Sequence, residues 1–504
     1  MKKYDILIIG SGLGGLTCGS ILSKEGYKVC ILEQNPNIGG CLQSFKRNKY
    51  CFDTGMHYVG GFEEGQPLNK IFTYLGFLKK LNLQPLDENS FDIIHIAEDD
   101  KKYPLGLGYK NFIENLANIF PDERDNIYKY CETIQTICKR YHLYQLEAVN
   151  ASSHVFGEYS TTSVGEFIDS VTQNKKLRIV LAGNNMLYGG EKYKTPVFVH
   201  ALITNMFITG AKYFVDGSQQ LADELAAVIR KNNGDIFTNS KVEKLEVEEK
   251  TILSVRTTSG KIFEADTYIS SIHPARTLEL VDEGKIQKSY RKRISAIKNT
   301  TSGFMLFIVF KENTMKYLNY NYYYSVDYES VWSMNDYDFE KQWPKGFMIL
   351  TPPHSDSAVH AQTAIVTSLM NFEDVKQWEN TTVGKRGQAY DDFKKKCTER
   401  MLDMIEAAMP GFRSKIAYVE SASPLTIRDY TGTKEGTFYG TKKNIDDMVS
   451  SHIPIRTKLT NLLLTGQNLN MHGILGVPLT AVQTCGELVG LDYLIDKINR
   501  AAKI

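Results

Sequence analysis

The stretch DILIIGSGLGGLTCGSILSKEGYKVCILEQ, residues 5–34, constrains the fold more than any other part of the chain. Ile6 to Ile9 is a short apolar run of the kind buried in a parallel sheet. It breaks into Gly10-Ser-Gly12-Leu-Gly14-Gly15, which satisfies G-x-G-x-x-G at Gly10, Gly12 and Gly15. The first glycine permits a tight turn, the second lets backbone approach a pyrophosphate, and the third lets a helix pack close to the strand. The spacing predicts a helix over roughly 14–25, with its unpaired N–H groups and positive dipole end aimed at the phosphates. Tyr27 to Leu32 reads as the second strand. It ends at Glu33, about 20 residues past the first glycine, where a carboxylate accepts hydrogen bonds from a ribose. Strand, helix, second strand and terminal acid in register predict a dinucleotide site rather than an idle glycine-rich turn, but a ribose carboxylate serves FAD and NAD alike.

Other readings of this opening fail on particular residues. Lys2 and Lys3 before an apolar stretch mimic a secretory leader, yet Asp5 and Gly10, Gly12, Gly14, Gly15 and Gly19 do not suit an apolar signal helix. Thr17 before Cys18 does not suit a lipoprotein cleavage site. Lys24 and Glu25 come too soon for a spanning helix of about 20 apolar residues. The longest later apolar runs, 197–208 and 303–310, are also too short to span. At 504 residues, two or more lobes are expected. The 59 basic and 58 acidic residues leave a net charge of +1, which gives no electrostatic case for a nucleic-acid partner. Eight cysteines show no C-x-x-C pair and no zinc spacing, so they read as buried reduced thiols of a cytoplasmic protein with no metal site. The basic run Arg291-Lys292-Arg293 reads as a solvated helix face, with a contact to anionic lipid heads as the sharper alternative.

Further segments carry a resemblance. After Glu33 come Gly39-Gly40-Cys41 and then YCFDTGMHYVGG (50–61). YFVDGSQQLADELAAVIRKNNGDIFTNSKVEKLEVEE (213–249), ADTYISSIHPARTLELV (265–281), SPLTIRDYTGTKEGTFYG (423–440) and LLLTGQNLNMHGILGVPLTAVQTCGELV (462–489) follow. Together they resemble the flavoprotein amine-oxidase and phytoene-desaturase superfamily, and FDTGMHYVG most resembles its retinol saturase branch. The resemblance implies an α/β protein. Its Rossmann-like FAD-binding domain would be assembled from about 1–65, 210–283 and 415–504, and a second α+β substrate domain from 66–209 and 284–414. It implies FAD held by Gly10, Gly12, Leu13, Gly14, Gly15, Glu33, Gln34, Gly39, Gly40, Val242, Gly466, Gln467 and Val477. His57, Tyr58 and His472 are the candidates beside the flavin, a histidine being able to donate a proton near pH 7; His57 could instead cap a strand or hydrogen-bond the flavin. The implied substrate is a lipophilic isoprenoid or polyene whose C=C bond is reduced or desaturated.

The residues support FAD independently. Leu462-Leu463-Leu464 is a buried-strand run ending in Thr465-Gly466, where glycine lets backbone approach a second phosphate or the ribityl chain. A helix is expected from about Gly476, with Pro478 near its first turn, its dipole serving the N1–C2=O locus of a reduced flavin. With no second complete fingerprint, NAD(P)H would have to visit as a transient electron donor without a Rossmann domain of its own.

The insertion 66–209 is expected to be mostly helical, with a helix over 127–146. The insertion 284–414 is expected to hold strands at 303–310, 347–351 and 364–369 and a helix near 388–407. YLNYNYYYSVDYESVW (317–332) reads as strands with hydroxyls outward, or as an aromatic wall for a flat ligand. VFVHALITNMFI (197–208) suits a greasy tunnel lining, a membrane-surface contact, or a plain core helix. Two rivals remain on the same fold. A porphyrinogen or amine oxidase is one, although GQNLNMHGILGV lacks the Tyr or Trp of an amine-oxidase cage. A non-catalytic prenyl-lipid binder of the GDP-dissociation-inhibitor kind is the other.

Overall fold

A computed structural model describes residues 3–55, 58–147, 158–355 and 359–503. Five parallel strands form one sheet in the order Leu462–Leu464, Ala265–Ser270, Tyr4–Ile9, Val29–Leu32, Asp235–Phe237. Alternation sorts its two faces. Ile6, Ile8 and Ile31 point to one apolar core, while Leu7, Ile9, Cys30 and Leu32 join another with Val242, Leu245 and Val255. On the first face pack the helices Leu13–Lys24, Gln219–Lys231 and Gly473–Val489. Against the second lies an antiparallel meander of Val242–Glu248, Thr251–Thr257 and Ile262–Phe263. Both faces are covered, so the strands are apolar throughout, as a parallel sheet requires. The outermost strand comes from residues near the C-terminus, so the sheet is closed by chain remote from its opening strand.

A second sheet has seven strands in the order Ile416–Ala422, Ser302–Phe310, Thr363–Met370, Gly346–Leu350, Asn321–Ser325, Asp92–Ile96, Lys101–Leu105. All neighbours are antiparallel except Asn321–Ser325 and Asp92–Ile96. Phe304, Leu306, Tyr322, Phe347 and Val366 face the long helix Gln388–Ala408. Met305, Phe307, Tyr323, Met348 and Ile365 face the nucleotide-side core.

This sheet departs from expectation in three ways. Beside its helices the insertion 66–209 supplies the strands Asp92–Ile96 and Lys101–Leu105, which complete a sheet begun by the other insertion. Ile416–Ala422 pairs with Ser302–Phe310, although it lies in the stretch 415–504 expected on the nucleotide side. The tyrosines of 321–325 do not turn their hydroxyls outward. Because both faces of the sheet are covered, Tyr322 bonds to His95 Nδ1 and Tyr323 to Tyr58.

The basic run is also more than a solvated face. On helix Lys288–Ala296, Arg291 donates to the carbonyls of Leu278 and Val281, and Arg293 to those of Ser450 and His452. Among the described residues no helix is long and apolar enough to cross a membrane. All eight cysteines are free.

Candidate functional site

Where the first strand ends, Gly10 takes φ +92° and its N–H bonds to Leu32. A Cβ on Gly15 would lie 2.1 Å from the Gly10 carbonyl oxygen, so only glycine lets the helix start there. The Gly15 N–H is taken by Ser271 Oγ at 3.0 Å, which pins the helix to the strand Ala265–Ser270 side of the turn. Gly12 forms an isolated bridge with Gly39, and a Cβ on Gly40 would lie 3.1 Å from Gly12 Cα. A Cβ on Gly12, by contrast, would meet nothing nearer than Ser271 Oγ at 3.9 Å, so the face of Gly12 toward the cavity is open. First-turn N–H groups at this helix start have no intrahelical acceptors; the N-cap residue Gly12 supplies none from a side chain, and Ser271 takes only that of Gly15. Glu33 is buried at 6% exposure and accepts from the Ser11 N–H (2.9 Å), the Ser11 hydroxyl (2.7 Å) and the Asn35 N–H (2.8 Å). These bonds hold its carboxylate at the mouth of the turn.

One cavity of about 660 Å³ runs from this turn into the interface of the two sheets. Its nucleotide end is lined by Gly10, Gly12, Leu13, Gly14, Glu33, Gln34, Gly39, Gly40 and Val242. Gly466, Gln467, His472 and Val477 join from the C-terminal unit, and Tyr58 from the 50–61 segment. Gly15 lies beneath the turn rather than on the lining. His57 falls outside the described residues. The other end is apolar: Val199, Leu202, Ile203, Met206 and Phe207 of helix Val197–Ile208 face Met305, Ile427 and Leu475.

The C-terminal helix begins at Gly473, three residues earlier than expected, so Pro478 lies inside it. His472 caps it by position, and its Nε2 is buried without a hydrogen-bond partner. Burial lowers its pKa to about 4, with Lys443 adding to the effect against a raising contribution from the Leu187 backbone. The ring is therefore neutral near pH 7 and is no ready source of a proton. Tyr439 packs on it at 5.0 Å between ring centroids. Phe438 and Tyr439 both line the cavity, so aromatic rings do reach it, from residues 438–439 rather than from the stretch GQNLNMHGILGV.

Sequence reasoning singled out Tyr58 but missed three groups: Lys443, Asp92 and Tyr323. Lys443 lines the cavity, donates to the Leu469 carbonyl at 2.6 Å, and is pushed down to about 8 by burial. Tyr58 donates to Asp92 Oδ2 at 2.8 Å and lies 2.9 Å from the Tyr323 hydroxyl. Asp92 is fully buried, and burial raises its pKa to about 7 despite hydrogen bonds from Asn321, Tyr58 and Asn184. An aspartate opening the apolar strand Asp92–Ile96 was the one local signal for it, since a buried carboxylate needs partners.

The residues fit a flavin dinucleotide. The glycines leave a backbone cradle that a Cβ would fill or distort, and Glu33 is poised for a ribose. Asn468 Oδ1 and His472 Nε2 are buried polar atoms without a protein partner. Among the described residues no group of three or more His, Cys, Asp or Glu could hold a metal ion.

Comparison with known proteins agrees. All-trans-retinol 13,14-reductase of Danio rerio is 28% identical, over 97% of this chain and 86% of its own length. Prolycopene isomerase 1, chloroplastic, of an Oncidium hybrid cultivar is 20% identical, over 98% of this chain and 85% of its own. A solved oxidoreductase from Methanosarcina mazei shares the fold, with a TM-score of 0.64 at 16% identity, covering 96% of this chain and 99% of that one. Residues 13–389, most of the chain, match the family described as flavin containing amine oxidoreductase. The glycine turn, the buried Glu33 carboxylate and the C-terminal unit line one cavity, and with the family match over most of the chain this protein is an FAD-dependent oxidoreductase and belongs to the flavin-containing amine oxidoreductase family.

Proposed function

We propose that this enzyme reduces or desaturates a C=C bond of a lipophilic isoprenoid or polyene. The observation that carries the reading is the continuity of one cavity. Its glycine-lined end suits the nucleotide, and its far end is walled by Val199, Leu202, Ile203, Met206 and Phe207. The acids on its described lining are Glu33, Glu279 and Asp429. Glu33 sits at the turn, Glu279 is paired with Arg276, and Asp429 with Arg386 and Arg428. A cationic amine would find no free carboxylate there, which disfavours amine oxidation. The names of the relatives, a retinol reductase and a prolycopene isomerase, support a polyene as substrate.

In this reading Glu33 holds the adenosine ribose and the Gly10–Gly15 turn the pyrophosphate. Gly466, Gln467 and Val477 bound the flavin end, and Gly39, Gly40 and Val242 the adenosine end. The flavin, when bound, supplies two-electron hydride chemistry. Helix Val197–Ile208 aligns the polyene and excludes water. Lys443 places a cation at the redox end, opposite the charge a reduced flavin carries.

The test is anaerobic. The bound flavin is reduced with dithionite and mixed with all-trans-retinol, phytoene or a polyamine. Reoxidation by a polyene, with loss of one double bond in the product, is the expected result. A flavin reoxidised by oxygen or a quinone and by no polyene would favour the dehydrogenating direction. Oxidised enzyme reduced by an amine would overturn the reading.

A further inference from the structure

Tyr58, Asp92 and Tyr323 come from three separate parts of the chain and meet behind the apolar slot, where Tyr58 is on the lining and the other two are buried. Tyr58 lines the cavity, and its ring lies on Phe207 with 4.1 Å between centroids, which fixes its direction. Its hydroxyl touches both Asp92 and Tyr323. Behind Asp92, Asn321 donates to Oδ1 at 2.8 Å, and Tyr213 in turn donates to Asn321 Oδ1 at 2.7 Å. Asn184 also bonds to the carboxylate. These are the polar and titratable groups facing Asp92 from the elements packed around it, and none is a cation. A carboxyl so enclosed has only neutral donors to stabilise its charge.

Hydride transfer to one alkene carbon leaves the neighbouring carbon in need of a proton, and the helix wall on which the Tyr58 ring rests is apolar. Resting on the polyene reading above, we propose that Tyr58 delivers that proton as the catalytic acid and that Asp92, with Tyr323 beside it, refills Tyr58 through their shared hydrogen bonds. A bound, reduced flavin would supply the hydride that one alkene carbon takes. At rest the Tyr58 O–H is directed at Asp92 Oδ2. In the relay the protonated carboxyl turns its own O–H to the Tyr58 oxygen and frees the Tyr58 proton. The Tyr58 O–H bond then breaks as the new C–H bond forms at the adjacent carbon, while the Asp92 proton passes to the Tyr58 oxygen. Asp92 regains a proton from water between turnovers. Desaturation runs the same transfers backwards. The coupling matters because burial holds Tyr58 well above the ordinary phenol range, so a free phenolate is strongly opposed. Asp92, raised to about 7 by burial, holds a transferable proton near neutral pH. It is a positioning and proton-supplying residue rather than one that meets the substrate.

The alternative is that the cluster only stitches the two lobes together. Asp92→Asn separates the two. The variant keeps the size of the side chain, and after a flip of the Asn321 amide the introduced amide donates to Asn321 while still accepting from Tyr58. The first measurement, on the flavin-loaded full chain without substrate, is pH-difference infrared spectroscopy. A carboxyl band titrating near pH 7 should be present in the native protein and missing in Asp92→Asn. The second is single-turnover reoxidation of reduced enzyme by an accepted polyene in D2O. Tyr58→Phe should slow it about 100-fold while polyene binding, read as a shift of the flavin spectrum, is unchanged. The native rate should fall as pH rises through about 7, and Asp92→Asn should flatten that fall.

A band that survives in Asp92→Asn, or a Tyr58→Phe enzyme as fast as the native one, overturns the relay. A native flavin that no polyene reoxidises overturns the substrate reading and proton delivery with it, while the infrared band still reports the carboxyl separately. Should Tyr58→Phe fail to take up FAD, Tyr323→Phe replaces it. Loss of that hydroxyl should shift the infrared titration, and an unmoved titration overturns the relay.

Discussion

Gly14 and Gly466 meet back to back where the first helix passes the last strand of the parallel sheet: a Cβ on Gly14 would lie 3.0 Å from Gly466 Cα and 3.2 Å from its nitrogen. Backbone cannot yield as a flexible side chain can. Gly14→Ala should therefore push the C-terminal unit away from the phosphate turn, at a cost of about 1–3 kcal/mol. Thermal melts and the ratio of flavin to protein absorbance check this, and an alanine variant as yellow and stable as the native protein would contradict it.

Glu33→Ala removes the carboxylate that accepts from Ser11 and Asn35 and faces the cavity. Hydrogen bonds to a charged group contribute about 1.5–3 kcal/mol each. FAD affinity, measured by quenching of flavin fluorescence, should weaken by at least tenfold, and Glu33→Gln should retain part of it.

Ile203→Gln places an amide on the apolar wall while leaving the glycine cradle untouched. Flavin content should be unchanged, and the affinity for a polyene should fall about tenfold, the scale of one lost apolar contact plus a desolvated amide. A loss of flavin instead would place the slot elsewhere.

Lys443→Met removes the buried cation near His472. The flavin midpoint potential should become more negative by on the order of 30 mV, equivalent to about 1.4 kcal/mol for a two-electron couple. Dye-linked redox titration measures it directly, and an unchanged potential would remove Lys443 from the redox end.

Asp92 also sets a pH dependence of stability. Its folded pKa of about 7 exceeds the ordinary 3.8. Between those values the unfolded chain gives up this proton while the folded chain keeps it, so stability falls as pH rises, by up to roughly 4 kcal/mol. Above about 7 the penalty is constant. Denaturant unfolding at pH 5 and pH 8 should show the part of this loss that falls between pH 5 and about 7, roughly 3 kcal/mol, in the native protein and much less of it in Asp92→Asn.

What could be read from the sequence was local. Residues 5–34 hold strand, turn, helix, strand and acid within one contiguous unit, and Gly14, Gly15 and Gly19 each sit where a Cβ would collide with a neighbour. The 462–489 unit was readable for the same reason, with the helix starting at Gly473, a residue at φ +74° where the chain turns into it. The Tyr58–Asp92–Tyr323 cluster was not readable. Its members pair across 34 and 265 positions, and nothing near Tyr323 indicates which face of its strand is covered. The short apolar run at 92–96 fits strand or buried helix by periodicity alone. Only its pairing with Asn321–Ser325 decides the matter.

The most direct test of the whole account is a titration of the oxidised, purified protein with all-trans-retinol or phytoene, following the visible flavin bands. One flavin per chain, with bands that shift and saturate as the polyene is added and that no longer shift at the same concentrations in Ile203→Gln, is the predicted result. A colourless protein that will not take up FAD, or a bound flavin whose spectrum ignores every polyene offered, would contradict it.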